Sequence, residues 1–285
     1  MKIRYFAVPA GLDRYFAAVF HAEIALDGSE RVEDILFPEW ATLRFQQGCG
    51  TTAWLRTGHR VEHCRFSVTG PRSQEAHFSI GPVRQWGFRL TPLGWAAYVG
   101  LPADRYADVV LDGDADEGFA RFRPLHAILA AHEGDSESQH GALCAFLAGL
   151  ERLPVPHEAL ICAVSSALRN EEVRTVAGLV EQVDAHPRTL ERICRSSFGF
   201  PPMVLLRRQR FLRSLEQFTL DPTLRWIGAL DSGYHDQAQF VRDFRKFMGM
   251  TPGDYARLAK PVLGPLIREK ARYARHGVGG GPLRG

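Results

Sequence analysis

The chain has 285 residues, of which 45% are hydrophobic and 24% charged, and its formal net charge is +3. This length exceeds one ordinary domain and the apolar fraction is ample for packed cores, so we expect two domains. Five scattered cysteines without a close pair indicate reduced thiols and argue against a disulfide framework or a zinc site: Cys49, Cys64, Cys144, Cys162 and Cys194. The sequence begins without an apolar signal segment and contains no run long enough to span a membrane, so we expect a cytoplasmic protein without a membrane partner.

From about Arg4 to Leu90 the sequence has the pattern of a small antiparallel β-domain. Short alternating runs such as ATLRFQQ and RVEHCRFSVTG are separated by Gly, Pro and Ser, which is typical of strands joined by turns. Segments with helical spacing follow, and they predict a helical connector and dimer surface: RYADVVL, EGFARFRPLHAILAAHE and SESQHGALCAFLAGLERL. The sequence therefore predicts an α+β protein whose N-terminal part is an antiparallel β-sandwich or barrel with a helical connector.

Trp40 and Trp54 are the candidate ligand contacts of this β-domain, because small-molecule sites are largely apolar with few polar anchors. The same tryptophans equally fit a hydrophobic core. Arg44 and Arg89 lie within apolar strands and would either pair with an anionic effector or point to solvent by alternation. We favour the solvent-facing interpretation for both arginines.

Enzymatic sites find little support in the sequence. His59 and His63 lie four residues apart in an expected strand and share a face, but no third ligand is near, so a metal-binding β-domain is not predicted. No nucleophile elbow, phosphate-binding loop or dinucleotide fingerprint is visible. We expect neither catalysis nor a cofactor. The alternative that stays open is a small-molecule-binding or enzymatic β-domain whose helical C-terminus is a protein-interaction module.

Pro154 and Pro156 mark the linker to a helical C-terminal domain, whose first helix we predict over residues 157–169. A second helix, capped by Thr175, ends before a three-residue turn at 184–186, and Pro187 suits the first position of a third. This third helix has a predicted buried stripe of Leu190, Ile193, Cys194 and Phe198. Its opposite face carries arginines at i, i+4 and i+7 with one glutamate among them: Arg188, Glu191, Arg192 and Arg195.

The same arrangement recurs about fifty residues later in GYHDQAQFVRDFRKFMGMTP. Gly233 suits the positive φ of a tight turn, and Asp236 is a good N-cap for a helix that runs to about Phe247. A stripe of three phenylalanines on this helix faces the core: Phe240, Phe244 and Phe247. Its other face presents Gln239, Arg242 and Lys246, and Gln and Arg are side chains that bind purine edges in a DNA major groove.

The sequence thus contains two copies of one arrangement: a helix, a turn, a basic helix and a Gly-x-x-Pro stop. An Arg-rich helix at about 202–218 joins the copies. This duplicated arrangement resembles the DNA-binding domain of the AraC/XylS family of bacterial transcription regulators. The resemblance covers roughly residues 155–260. The preceding β-rich part resembles, less specifically, the cupin-like N-terminal domains of that family. It implies a regulator whose two recognition helices enter successive major-groove segments about one turn, roughly 34 Å, apart. The implied partners are double-stranded DNA, RNA polymerase, a small-molecule effector and a second copy of the chain.

Carried over by position, the resemblance implies base-reading roles for Arg188, Glu191, Arg192, Gln237, Gln239 and Arg242. It implies phosphate contacts for Arg195, Arg245 and Lys246. Early residues of a recognition helix reach base edges, whereas those near its end meet the backbone. Some of the arginines would alternatively pair with surface carboxylates such as Glu181, Glu191 or Asp243.

One stretch departs from the family pattern: LRWIGALDSGY has Gly228 where an aliphatic residue belongs, and a glycine within a helix costs roughly 0.5–1 kcal/mol relative to alanine. The second motif is therefore expected to be less regular than the first. The predicted domains are 1–153, 154–260 and a basic, Gly-rich tail 261–285 that we expect to be disordered. Lys+Arg against Asp+Glu count 15 to 19 over 1–154, 15 to 12 over 155–260 and 5 to 1 beyond, so the positive charge lies in the C-terminal part.

Overall fold

A computed structural model describes residues 1–27, 30–48, 50–220, 231, 233–234 and 236–275. The fold is mixed α+β, with antiparallel sheets in the N-terminal region and helices in the C-terminal region, as predicted. The N-terminal strands are β1 (Lys2–Phe6), β2 (Phe16–Ile24), β3 (Val32–Leu36), β4 (Thr42–Gly48), β5 (Thr51–Trp54), β6 (Arg60–Cys64), β7 (Phe66–Thr69), β8 (Ala76–Ile80), β9 (Val83–Leu90) and β10 (Val110–Asp112).

The strands form two antiparallel sheets, one of six strands in the order β1-β2-β9-β4-β7-β10 and one of four in the order β3-β8-β5-β6. Strand alternation gives the larger sheet an apolar face, on which Phe45 and Phe88 stack and Phe88 meets Phe122 at a ring distance of 5.9 Å. The opposite face is polar, and Gln46 there accepts a hydrogen bond from Thr51 of the smaller sheet. The sandwich interior therefore contains hydrogen-bonding side chains as well as apolar ones.

The connector contains α1 (Pro92–Tyr98), α2 (Pro124–Ala130) and α3 (Ser136–Gly149), with two 3₁₀ helices, Ala103–Arg105 and Glu117–Phe122, between α1 and α2. The prediction of a helix over RYADVVL is wrong, because this segment leads into β10. Strand β10 pairs with β7 in the register Leu111 to Val68. An edge position on an existing sheet satisfies its backbone groups, which helical spacing in the sequence did not reveal.

The C-terminal helices are α4 (Glu158–Arg169), α5 (Val176–Val183), α6 (Pro187–Phe198), α7 (Pro202–Leu220), α8 (Gln237–Met248), α9 (Pro252–Arg257) and α10 (Leu263–Arg275). Helices α4 to α8 agree closely with the predicted bounds. The hydrophobic core is continuous across the proline linker: Trp40 meets Phe198 of α6 edge to face at 5.7 Å, and buried residues of α1 and α4 belong to the same cluster. The helical region is thus packed directly against the β-sandwich.

The expectation of a disordered tail is wrong for residues 263–275, which form α10. The Asp34 carboxylate of β3 accepts hydrogen bonds of 2.7 Å from the backbone N–H groups of Val262 and Leu263 at the start of this helix. Near its other end, the Tyr273 ring lies 5.9 Å from Tyr5 of β1. Since β1 and β3 are edge strands of the two sheets, α10 bridges the open side of the sandwich. The Gly-rich residues 276–285 lie outside the described residues.

Replacing Asp34 with alanine should lower the free energy of unfolding by about 1–3 kcal/mol, because two buried N–H groups lose their acceptor. Urea unfolding of the full chain measures this change. Asp27→Ala, at an exposed position just after β2, is the matched control and should change stability by less than about 0.5 kcal/mol. Equal effects of the two substitutions would show that Asp34 does not hold α10.

Candidate nucleic-acid interface

The first helix-turn-helix is built by local capping. The Thr175 hydroxyl accepts from the Gly178 N–H at the start of α5, and Asp184 ends that helix in a left-handed conformation with φ 46°. The His186 side chain then accepts from the Arg188 N–H, and α6 ends at Gly199 with φ 84°. These caps fix the short turn between the two helices and confirm the predicted boundaries.

The predicted apolar stripe of α6 is buried: Leu190, Ile193, Cys194 and Phe198. Burial raises the pKa of the Cys194 thiol to about 12, so this side chain is a neutral core residue. The sequence interpretation of Cys194 as a packing residue agrees with this environment.

The opposite face of α6 presents the candidate DNA contacts. Arg188, Arg192 and Arg195 are exposed and Glu191 is half-buried. Arg195 Nε donates to Glu191 Oε1 at 2.8 Å, and Arg192 Nη2 lies 2.9 Å from His157 Nε2. One of the anticipated surface pairs, Glu191 with Arg195, is therefore present. Such an exposed pair is worth little in free energy and can open to admit a phosphate.

The second recognition helix, α8, has the same design. The Asp236 carboxylate accepts from the Gln239 N–H at 2.6 Å, and Gly249 ends the helix with φ 66°. The three phenylalanines of the predicted stripe are fully buried, and they pack around Phe211 of α7. Among the candidate DNA contacts of this helix, four are exposed and Gln239 is half-buried; the exposed ones are Gln237, Arg242, Arg245 and Lys246.

Asp243 of α8 is not a surface residue, although it lies among the polar residues of the sequence. Its buried carboxylate accepts from Arg207 and, at 3.0 Å, from Arg210, both on α7, and at 3.2 Å from the Tyr234 hydroxyl. Burial and the nearby Asp243 raise the pKa of Tyr234, which keeps this hydroxyl a neutral donor. Two arginines of the Arg-rich segment therefore orient α8. The sequence does contain a sign that Asp243 is buried: it lies three residues after Phe240, which places it on the core side of the helix.

Gly233 does not adopt the positive φ that we predicted, and a close approach explains the glycine instead. A Cβ atom there would lie 2.9 Å from Asp231 Oδ1 and 3.1 Å from Arg210 Cδ, while Arg210 donates to the Gly233 carbonyl. The expected first helix of this motif, with Gly228, lies outside the described residues.

The end of α8 is held by the β-sandwich, which the sequence did not indicate. Arg56 Nη2 donates to the Lys246 carbonyl at 2.8 Å, and the Glu75 N–H donates to the Phe247 carbonyl at 3.0 Å. These donors satisfy carbonyl groups that have no partner within the last turn of a helix. The N-terminal region thus contacts the second recognition helix directly.

Arg44 and Arg89 do not point to solvent; both lie on the polar inner face of the larger sheet. They converge with Arg72 on the largely buried Glu39 carboxylate. Burial alone would raise the pKa of Glu39, but Arg89, Arg72 and Arg44 outweigh it and lower this pKa to about 2. The strand alternation was predicted correctly, because both arginines lie on the sheet face opposite to that of Leu43 and Phe88. The predicted solvent exposure is wrong, because helices and the second sheet cover this face.

The two tryptophan candidates occupy different places. Trp40 lines a cavity between the sheet and the helices, and the Arg208 guanidinium lies 3.9 Å from its ring centroid. Trp54 lies on the smaller sheet, stacked against His77 at 5.6 Å. Over the described residues there is no cluster of three or more His, Cys, Asp or Glu side chains that could hold a metal ion. Within the same residues, no helix has the length and apolar content needed to cross a membrane.

Residues 179–258 match a family model described as "Helix-turn-helix domain". The C-terminal region is therefore a helix-turn-helix DNA-binding domain of the AraC type, which confirms the resemblance seen in the sequence. No curated protein sequence matches the chain.

Among solved structures, the chain is similar to ToxT from Vibrio cholerae. One ToxT structure gives 10% identity and a TM-score of 0.45 over 84% of this chain and 96% of that one. Another, bound to (E)-4-(8-methylnaphthalen-1-yl)but-3-enoic acid, gives 11% and 0.44 over 84% and 96%. ToxT bound to an unsaturated fatty acid gives 9% and 0.40 over 82% and 97%.

Asp243→Ala should lower the free energy of unfolding by about 3–5 kcal/mol, because it leaves two arginines and a tyrosine around an empty buried site. Asp236→Ala, which removes only an exposed N-cap from the same helix, should cost about 1 kcal/mol. Urea denaturation compares the two variants. A cost for Asp243→Ala no larger than that of the cap would contradict its role in holding α8 on α7.

Acid should destabilise the protein through Glu39. Its folded pKa of about 2 lies below its ordinary value of 4.5, so the carboxylate stabilises the fold above pH 4.5 and loses this contribution as pH falls towards 2. The contribution is about 3 kcal/mol. Glu39→Gln should remove this part of the acid dependence and lower stability at neutral pH. Unfolding curves across this pH range measure both effects, with Glu137→Gln at an exposed ion pair as the control. An unchanged acid dependence in Glu39→Gln would refute the assignment.

Proposed function

We propose that this chain is a sequence-specific transcription regulator that places α6 and α8 in two successive major-groove segments of double-stranded DNA. The observation that carries the proposal is the pair of basic helices mounted on one helix, α7. Its 19 residues span about 28 Å at 1.5 Å per residue. This length is close to the roughly 34 Å between groove segments one helical turn apart.

The candidate DNA-contacting side chains divide by position into two groups. Arg188, Glu191, Arg192, Gln237, Gln239 and Arg242 lie in the first half of each helix and would read base edges. Arg195, Arg245 and Lys246 lie nearer the helix ends and would contact phosphates, which supplies affinity without sequence information. Glu191 reads a cytosine amino group only if its bond to Arg195 opens, so Arg195 would move to a phosphate on binding.

Control of DNA binding belongs to the N-terminal region in this proposal, through a small effector or through dimerisation. The contacts of Arg56 and Glu75 with the end of α8 support it, since a change in the sandwich would reach the second recognition helix through them. Contact with RNA polymerase and assembly as a homodimer complete the proposal. The rival function, a β-domain with a helical protein-interaction module, predicts no footprint on DNA.

Footprinting on a site selected from random duplexes tests the proposal. The full chain should protect about two helical turns on one face of the duplex. Protection of one turn or less at low salt, or no selected site at all, would contradict reading by both motifs. The DNA immediately upstream of the chain's own gene is a second target for the same measurement.

Arg192→Ala should weaken binding to the selected site by about 1–3 kcal/mol and weaken binding to random DNA much less, because a base contact carries sequence information. Lys246→Ala should weaken both equally and reduce the salt dependence by about one phosphate contact. Arg65→Ala, an exposed arginine of the sandwich paired with Asp114, is the control and should change neither. Equal losses of Arg192→Ala on both DNAs would remove Arg192 from the base-reading set.

A further inference from the structure

Arg192 is held by the last residue of the proline linker. Among the arginines with proposed base-reading roles, it is the one whose guanidinium has a side-chain partner within the described residues: its Nη2 lies 2.9 Å from His157 Nε2. Because a guanidinium only donates hydrogen bonds, this imidazole nitrogen accepts, and the His157 ring is neutral with its proton on Nδ1. The contact joins α6 to the residue that directly precedes α4.

The backbone at residue 157 does not explain the choice of histidine there. His157 is the N-cap of α4, yet its side chain makes no capping hydrogen bond, and its backbone is left-handed with φ 62°. Asparagine suits both requirements well, because it is a preferred N-cap and adopts the left-handed region readily. Histidine differs from asparagine in length, since its Nε2 extends further from the backbone than an asparagine amide. Reaching Arg192 on α6 is what histidine adds at this position.

The chemistry of this partner suits an arginine that reads a base. A carboxylate in the same place would neutralise the guanidinium, as Glu191 does for Arg195 at 2.8 Å, and would compete with DNA for it. The neutral imidazole orients Arg192 without removing its positive charge. An arginine held through one hydrogen of Nη2 keeps the second one and those of Nη1 for the O6 and N7 atoms of a guanine.

The bond between His157 and Arg192 acts on DNA binding more than on folding. Both side chains are exposed, so the bond contributes little to the stability of the fold. Arginine has many rotamers, and ordering it on DNA costs conformational entropy, a cost that falls when the guanidinium is already held. The linker itself is anchored, because the Leu153 N–H donates to the Ala97 carbonyl of α1 at 2.8 Å. His157 therefore extends from a fixed backbone.

We propose that His157 is a positioning residue that orients Arg192 for base reading, so that the linker contributes to the sequence preference of the first recognition helix. This inference rests on the proposed function, because it requires Arg192 to contact a base pair. In this role His157 acts through Arg192 and makes no base or phosphate contact of its own.

His157→Asn in the full chain tests the proposal on the selected DNA site. The base pair read by Arg192 is first identified as the one at which Arg192→Ala loses its preference. At that base pair, His157→Asn should reduce the preference roughly threefold to tenfold, because DNA must then order a free arginine side chain. Affinity for random DNA and the midpoint of urea unfolding should not fall, since asparagine suits the backbone of residue 157. His132→Asn, at an exposed histidine of the connector, is the matched control and should change neither.

Two further variants separate positioning from a structural effect. His157→Gln places an amide oxygen about as far from the backbone as Nε2 and should retain the preference. In the Arg192→Ala background, His157→Asn should have no further effect on the preference, because the side chain that it positions is gone. A loss in His157→Gln as large as that in His157→Asn, or a loss that persists without the Arg192 side chain, would overturn the role of His157.

The footprint of the unsubstituted chain separates this inference from the proposed function. A footprint together with an unchanged preference in His157→Asn refutes only the positioning role. Equal weakening of His157→Asn on the selected site and on random DNA also refutes it, because such a loss indicates a phosphate contact by His157 itself. Absence of any footprint refutes the DNA-reading function, and the role of His157 with it.

Discussion

The fixed distance between two basic helices is the constraint on which the DNA-binding surface depends, and α7 provides it. The side of α7 that faces α8 carries Phe211, which packs among the phenylalanines of α8, and also Arg207 and Arg210, which bind the buried Asp243. Apolar packing sets how closely the helices approach, while the ion pairs set their rotation, since only one orientation of α8 brings Asp243 to both arginines. The exposed face of α8 is therefore determined by contacts made on its hidden face.

A cluster of buried charges lies where α7 meets the sandwich: its ion pairs are within the sandwich, and Arg208 of α7 reaches it through the Arg72 carbonyl and the Trp40 ring. Four arginines and Glu39 lie between the sheet and α7, where each desolvated guanidinium needs acceptors. Backbone carbonyls supply part of this need, and the Trp40 ring supplies more through its contact with Arg208. Purely apolar packing would have given a stable interface without the desolvation free energy of buried charges. Because three of these arginines share the Glu39 carboxylate, protonation of Glu39 by acid weakens this cluster.

Local patterns were sufficient for the recognition helices, because caps, glycine stops and an apolar stripe are encoded within about a dozen residues. The helices α6 and α8 begin and end close to the predicted positions for this reason. Features that depend on contacts between distant parts of the sequence could not be predicted from such local patterns. Strand β10 depends on pairing with β7, the burial of Arg89 depends on what covers the sheet, and α10 depends on a carboxylate more than two hundred residues away in the sequence, that of Asp34. Partners distant in sequence decided each of these outcomes.

Helix α10 also has a consequence for how the chain can be shortened. It covers β1 and β3, the strands whose outer backbone groups would otherwise be left for another strand to pair with. A chain cut after the family-matched region at residue 258 would keep every candidate DNA contact and still expose two sheet edges. Such a fragment would be prone to associate edge to edge, so the C-terminal helix protects the solubility of a domain that is far from it in the sequence.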